Sequence, residues 1–360
     1  MRSFGVEEEF FLLDSFTGLP TAPTPSTRAE LLSLTVEGST TCGEFLACQL
    51  ESNSPVLQTG KDAFHTVHAY RSALSLIARD AGLTVVALGT PPSISGTPAV
   101  ISPSARYRTI NDFCGRITAE HYLSGLHIHV GVEDSTAGVT ALNEVRRWLP
   151  LLTAIGSNSP YWKGSDSGFA SWRSIHYRRW SVQGIPPRFL DATDYARRIQ
   201  LMMDADAVLD SGHVSWAARL STRYPTLEIR AADSQMNASN TVLLALIARS
   251  LVDASLNGAA TGFDPLPEAL DLAQWQAAKF GLRGNHINPV DGKSASAAQM
   301  LASMMDFILP ALRKNGDDQY VIAGLARIME QGTGAGLQRK HFHEGGFNAV
   351  LARAQELITD

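Results

Sequence analysis

The chain has 360 residues, 44% of them hydrophobic and 18% charged, enough apolar material for a large buried core and too much for a disordered chain. Its 30 basic and 35 acidic residues leave a formal charge of −5, which argues against a polyanion-binding face, so nucleic acid is not an expected partner. Cys42, Cys48 and Cys114 form no CxxC pair, and the N-terminal MRSFGVEEEF lacks the apolar run of a signal peptide, so the expected setting is the cytoplasm, with no membrane partner.

In chain order, residues 6–13 and 45–51 read as strands. Residues 61–82 carry apolar positions at helical spacing and stop at Ala81-Gly82, after which 83–88 is a strand and 91–103 a Pro/Ser/Gly-rich loop. Residues 126–132 alternate as a strand, 136–156 form a helix, and 158–174 a polar loop. A helix is expected over 194–208, strands over 214–220 and 226–231, and helices dominate from 241 onward. The apolar run 242–256 carries Arg249 and Asp253, which suits a buried helix better than a membrane span. With no linker or repeat, the expected class is α+β, a mainly antiparallel sheet covered by helices, in one domain over 1–360.

The chemistry lies in a recurring pattern: expected strands carry polar, metal-competent side chains at i and i+2, which in a strand point to one face. Glu7 and Glu9 share a face, as do His127 and His129, Glu228 and Arg230, and Gln49 and Glu51. If these strands form one sheet, their polar faces line a cavity crowded with carboxylate, and a cation is the simplest way to hold such groups together. Carboxylate-rich ligation with one or two histidines suits magnesium or manganese. Taken singly, each pair has a plainer account: an exposed acidic edge for Glu7 to Glu9, hydrogen-bonded histidines, a cross-strand ion pair for Glu228 and Arg230.

The ordered series E-x-E-F-F-L, E-x6-E, G-x-H-x-H and L-E-x-R resembles the metal-binding series of the glutamine synthetase superfamily. With GVEEEF, the run N-S-P-x-W-x-G-x-D-x-G-x-A-S-x-R-S and GTGA, it is similar above all to the carboxylate-amine ligases of the type 2 glutamate-cysteine ligase family, over residues 4–339. The resemblance implies a curved sheet whose polar concave face forms the active site, with helices on the other face. It implies ATP and Mg2+ as cofactors and a two-step reaction: phosphorylation of a carboxylate, then displacement of phosphate by an amine. Glutamate and cysteine, or a related pair of small amino-acid or amine substrates, would be joined. By resemblance, Glu9, Glu44 and Glu51 would hold one ion and Glu7, His127 and Glu228 another. Arg230 would touch phosphate, His129 the phosphates or the substrate carboxylate, and Asn158, Lys163 and Arg173 substrate or phosphate. Arg339, after the GTGAG turn, would reach phosphate from the rim of the site.

Glu44 and Glu51 are an odd number of residues apart, so either a bulge separates them or Glu44 lies on the preceding turn. Closing loops are expected at 91–103 or 163–168. The rival readings are a kinase of a carboxylate or guanidino group, a nucleotide or amino-acid sensor without turnover, and a metal-dependent amide hydrolase. Substrate identity, the base that deprotonates the amine, and any homo-oligomer are left open by the sequence.

Overall fold

The computed structural model describes residues 1–95, 99–258 and 263–360; the Gly96 to Pro98 part of the expected closing loop lies outside them. The centre is an eight-stranded antiparallel sheet: β1 (Phe4–Asp14), β2 (Thr35–Val36), β3 (Ser39–Gly43), β4 (Gln49–Asn53), β5 (Leu83–Val86), β6 (Gly125–Gly131), β7 (Ala218–Leu220) and β8 (Thr226–Asp233). Their order is β7-β8-β6-β1-β4-β3-β2, with β5 also paired to β1. β1 is the axis of the sheet. β4 takes one of its edges over residues 7–11, while β6 covers residues 4–8 and β5 residues 11–14 of the other. A register shift between Ile229 and Ala232 marks a bulge in β8 against β6.

Strand alternation divides the sheet chemically. Val6, Leu126, Ile128, Val130, Leu227 and Ile229 are buried with the Ser135–Val145, Ala238–Leu256 and Ala297–Asn315 helices in the largest apolar cluster. Phe10, Leu12 and Leu50 join Tyr70 and Leu74 of the Gly60–Asp80 helix in another. Glu8 shares this helix-facing side and is buried against Arg71, itself fully buried. The Ala238–Leu256 helix, the one helix among the described residues with membrane-span length and hydropathy, is buried in this layer, and its Arg249 pairs with Asp317.

Several elements differ from the sequence-based expectations. The strand expected over 45–51 begins only at Gln49, because residues 45–48 are held as a turn by Ser102 N–H on Phe45 O (2.9 Å) and Ala47 N–H on Val100 O (2.8 Å). The helix expected over 136–156 is broken by a 3-10 turn at Arg146–Trp148 and restarts at Leu149–Ile155, where Pro150 sits in the first turn, the position that does not need its missing N–H. The 214–220 strand divides into Ser215–Trp216, which pairs in parallel with Gln183–Gly184, and β7.

Candidate active site

Cross-strand register brings the polar pairs onto one face. Glu7 lies opposite His127 and Asn53, Glu9 opposite Glu51, and Glu228 opposite His129 and Arg219. Glu44 sits just past β3, on the turn leading to β4, which resolves its odd spacing from Glu51. These residues line a cavity of about 680 Å³.

Three groups of side chains each place ligand-type atoms within 4.8 Å of one another: Glu9, Glu44 and Glu51; Glu7, His129 and Glu228; Glu7, Glu51 and His127. The first is the trio the resemblance implies. The second is regrouped: His129 replaces His127 beside Glu228, because β6 and β8 pair those two residues directly, whereas His127 faces Glu7.

The electrostatics of the groups differ. Burial raises the Glu9 pKa to about 8, with Glu44 adding repulsion, although Glu9 Oε2 accepts the Gly125 N–H at 2.7 Å. Burial also raises Glu44 and, together with the charges of Glu7, Glu44 and Glu9, raises Glu51 well above the usual carboxylate range. For Glu7 burial is outweighed by the adjacent His127 and His129 imidazoles, and its pKa falls. Glu228 is likewise held low, against burial, by Arg230 and Arg219; Arg219 bonds both its oxygens at 2.9 and 3.2 Å. Both histidines keep a buried Nε2 without a hydrogen-bond partner, although Glu9 Oε1 lies 3.5 Å from that of His127 and Glu7 Oε1 3.1 Å from that of His129. Imidazole nitrogens without partners beside clustered carboxylates are a donor set that can hold a divalent ion.

Arg230 pairs with Glu228 and approaches His127 Nδ1 at 3.3 Å, on the floor of the cavity. Arg173 lies beneath it, bonding the Arg230 carbonyl (3.4 Å) and stacking on Tyr177 (5.0 Å). It occupies the space where a side chain on residue 125 would go: a Cβ on Gly125 would stand 2.2 Å from its Nη2. A second, largely apolar pocket of about 520 Å³ adjoins the first and shares Glu7, Asn53, His129 and Tyr224 with it; Val6, Pro55 and Val132 line its far side.

Four expected ligand contacts are not brought to the cavity. Arg173 is buried and lines a separate small pocket with Tyr177 and Arg230. Asn158 is fully buried, and its amide is consumed internally: Nδ2 donates to Ala87 O (3.0 Å) and Ser234 O (2.7 Å), while Oδ1 accepts from Gln338 (2.7 Å). Arg339 makes a bidentate pair with Asp166 (2.7 Å for both bonds) and donates to Phe169 O (2.9 Å). Lys163 is on the tip of an exposed hairpin, paired with Glu120 at 2.8 Å. The GTGAG turn packs on Asn158 instead of facing the carboxylates; a Cβ on Gly334 would stand 2.2 Å from Asn158 Oδ1.

Not legible from the sequence are Arg106 and Tyr107, which line the cavity from the Ala105–Cys114 helix, Asp210, which lines it from a loop, and Arg219. Only Arg219 left a trace, as the second arginine of a hairpin opposite LEIR.

Residues 3–346 match glutamate-cysteine ligase family 2. A Nocardia farcinica protein provisionally named glutamate–cysteine ligase 2-1 is 35% identical over 98% of this chain and 91% of its own length. Among solved structures, a glutamate–cysteine ligase from Francisella tularensis in complex with AMP superposes with a TM-score of 0.72 at 12% identity, covering 100% of this chain and 89% of that one. A bifunctional glutathione synthetase from Pasteurella multocida gives 0.71 at 13% identity, covering 99% of this chain and 52% of that one. The structural likeness establishes the fold; the sequence match, running through every strand that carries the carboxylates and histidines, establishes kinship, and the chain belongs to glutamate-cysteine ligase family 2.

Proposed function

We propose that this ATP-dependent carbon–nitrogen ligase requires magnesium and joins the γ-carboxylate of glutamate, or of a close analogue, to the amine of cysteine or a related amino acid. The observation that carries the reading is the Glu9, Glu44 and Glu51 trio: three carboxylates gathered within 4.8 Å, each with a raised pKa, beside imidazole nitrogens left without partners. Such a cluster is costly unless a cation neutralises it.

One ion would sit on that trio, and a second on Glu7, His129 and Glu228, with His127 at hand through Glu7 and Glu51. Magnesium supplies charge neutralisation on the transferring phosphoryl group. The chain does the rest by placement. The apolar pocket that shares His129 and Tyr224 with the cavity suits a purine base, which would direct the phosphates over the carboxylate face. Arg230, held on the floor by Glu228, would meet the phosphoryl oxygens, and Arg173 beneath it would fix its backbone. The polar face would then be the concave side of a curved sheet, and the sheet with its helices one catalytic domain. In the reaction a carboxylate oxygen attacks the γ-phosphorus and ADP leaves; the amine then attacks the acyl carbon, and phosphate leaves.

The test is phosphate release from ATP and magnesium across amino acids offered singly and in pairs, repeated with Glu9→Ala. Release that needs both an acid and an amine, and vanishes in the variant, supports the ligase. Turnover with the acid alone, giving a stable phosphorylated product, overturns it in favour of a kinase.

A further inference from the structure

The cavity carries four arginines with different freedom. Arg219 and Arg230 are both committed to Glu228. Arg223 lies beside Tyr224, which also lines the apolar pocket, and so belongs to the nucleotide side. Arg106 is at the other rim, on the Ala105–Cys114 helix, with its side chain half-exposed and paired to Asp210. Its neighbour Tyr107 bonds Gly43 O at 3.2 Å and approaches the Glu44 carboxylate at 3.5 Å, so Arg106 stands one residue from the carboxylate floor.

Beside Arg106 the cavity wall changes character. Ile110, His121, Tyr177 and Trp180 line it, with the His121 ring 5.0 Å from Trp180 and 5.6 Å from Tyr177. Burial, with His176 and two nearby arginines adding to it, lowers the His121 pKa to about 3, so the ring is neutral at physiological pH. His121 Nδ1 and Trp180 Nε1 are buried without hydrogen-bond partners. A wall of uncharged rings accepts an apolar, aromatic or thiol side chain and penalises a cationic one above all, which would lose its water there beside Arg173 and Arg179.

We infer that Arg106 and this wall form the subsite for the amine substrate: Arg106 binds the carboxylate of an α-amino acid, Asp210 positions Arg106, and the wall receives an uncharged side chain. This rests on the ligase reading above and specifies how its second substrate is chosen. The carboxylate at the rim leaves the amino group free to reach the acyl carbon over the floor.

The experiment compares L-amino acids with the same amines lacking the carboxylate, such as cysteine with cysteamine and phenylalanine with phenethylamine, using L-glutamate, ATP and magnesium. Hydroxylamine, which has no carboxylate, is added separately to trap the activated acid as a hydroxamate. The wild-type protein is expected to prefer each amino acid over its decarboxylated partner by tenfold or more in kcat/KM, and Arg106→Met to reduce that ratio to near one. Arg106→Gln carries the same test should the methionine variant fail to fold. Trp180→Ala is expected to lower the preference for phenylalanine over glycine. A ratio unchanged in the Arg106 variants overturns the inference while hydroxamate still forms. Absence of hydroxamate from the wild-type protein with every acid tried overturns the ligase reading and this inference with it.

Discussion

Glu8 should be the structural member of the Glu7-Glu8-Glu9 run, and Glu8→Gln should cost stability without touching substrate binding. Its carboxylate is buried on the helix-facing side of β1, where Oε1 accepts from Arg71 Nη2 at 2.6 Å and from Thr241 at 2.5 Å, and Oε2 from Arg71 Nε at 3.1 Å. Arg71 is fully buried; its other bonds go to the carbonyls of Gln235 (2.8 Å) and Met236 (3.2 Å) and to Thr241 (3.1 Å). Glutamine keeps the shape but leaves a guanidinium charge with no counter-ion, a loss of about 3–5 kcal/mol. At roughly 2 °C per kcal/mol for a chain of this size, the melting temperature should fall by about 6–10 °C. Joint replacement, Glu8→Met with Arg71→Met, should recover most of the loss, because removing both charges removes the desolvation cost as well. Thermal unfolding of the wild type and these two variants checks this, with KM for ATP measured well below each transition. An unchanged melting temperature in Glu8→Gln, or a raised KM for ATP, would refute the assignment of Glu8 to the helix layer.

Glu9→Gln should raise the melting temperature in the absence of metal, since it removes a carboxyl that burial, and then the Glu44 charge, make costly to keep in the folded protein, and should abolish the stabilisation magnesium gives the wild-type protein; turnover should fall by at least about 100-fold. His121 is held neutral to about pH 3 in the folded protein, while the unfolded chain takes up the proton near 6.5. Its contribution is therefore complete above pH 6.5 and is lost as pH falls toward 3, about 2 kcal/mol of it by pH 5. His121→Phe should flatten that part of the stability profile, as followed by denaturant unfolding between pH 7 and 5. Gly334→Ala should cost about 1–3 kcal/mol, because its Cβ would fall 2.2 Å from Asn158 Oδ1, and an unaltered melting temperature would count against the packing described for the GTGAG turn.

The i, i+2 pairs were legible because strand alternation is a local property, and Glu7, Glu9, His127, His129 and Glu228 needed only the right face. Register is not local. That Glu228 lies opposite His129 while His127 lies opposite Glu7 depends on how β6, β1 and β8 align, which no single strand encodes. Asn158 and Arg339 look like ligand-binding residues by type, but their partners, Gln338 and Ala87 for one and Asp166 for the other, come from elsewhere in the chain. Arg106 and Asp210 are over a hundred positions apart and belong to no pattern that a strand or helix period would reveal. Helix existence was easier to read than helix continuity: Pro150 stood in plain view inside 136–156, yet its break shows only where the chain restarts.

The bulge in β8 has a consequence for how the chain tolerates change in length. Before it, Glu228 is in phase with His129; after it, Asp233 is paired with Gly125 and so in phase with the same histidines, which an unbroken strand would not allow. Asp233 uses that phase to bond Ser159, Ser171 and the Asn158 N–H at 2.6–2.8 Å, holding the 158–174 loop. Deleting one residue between Ile229 and Ala232 would act on the sheet as a frameshift acts on a reading frame: each side chain beyond the lesion would be sound in itself and turned to the wrong side.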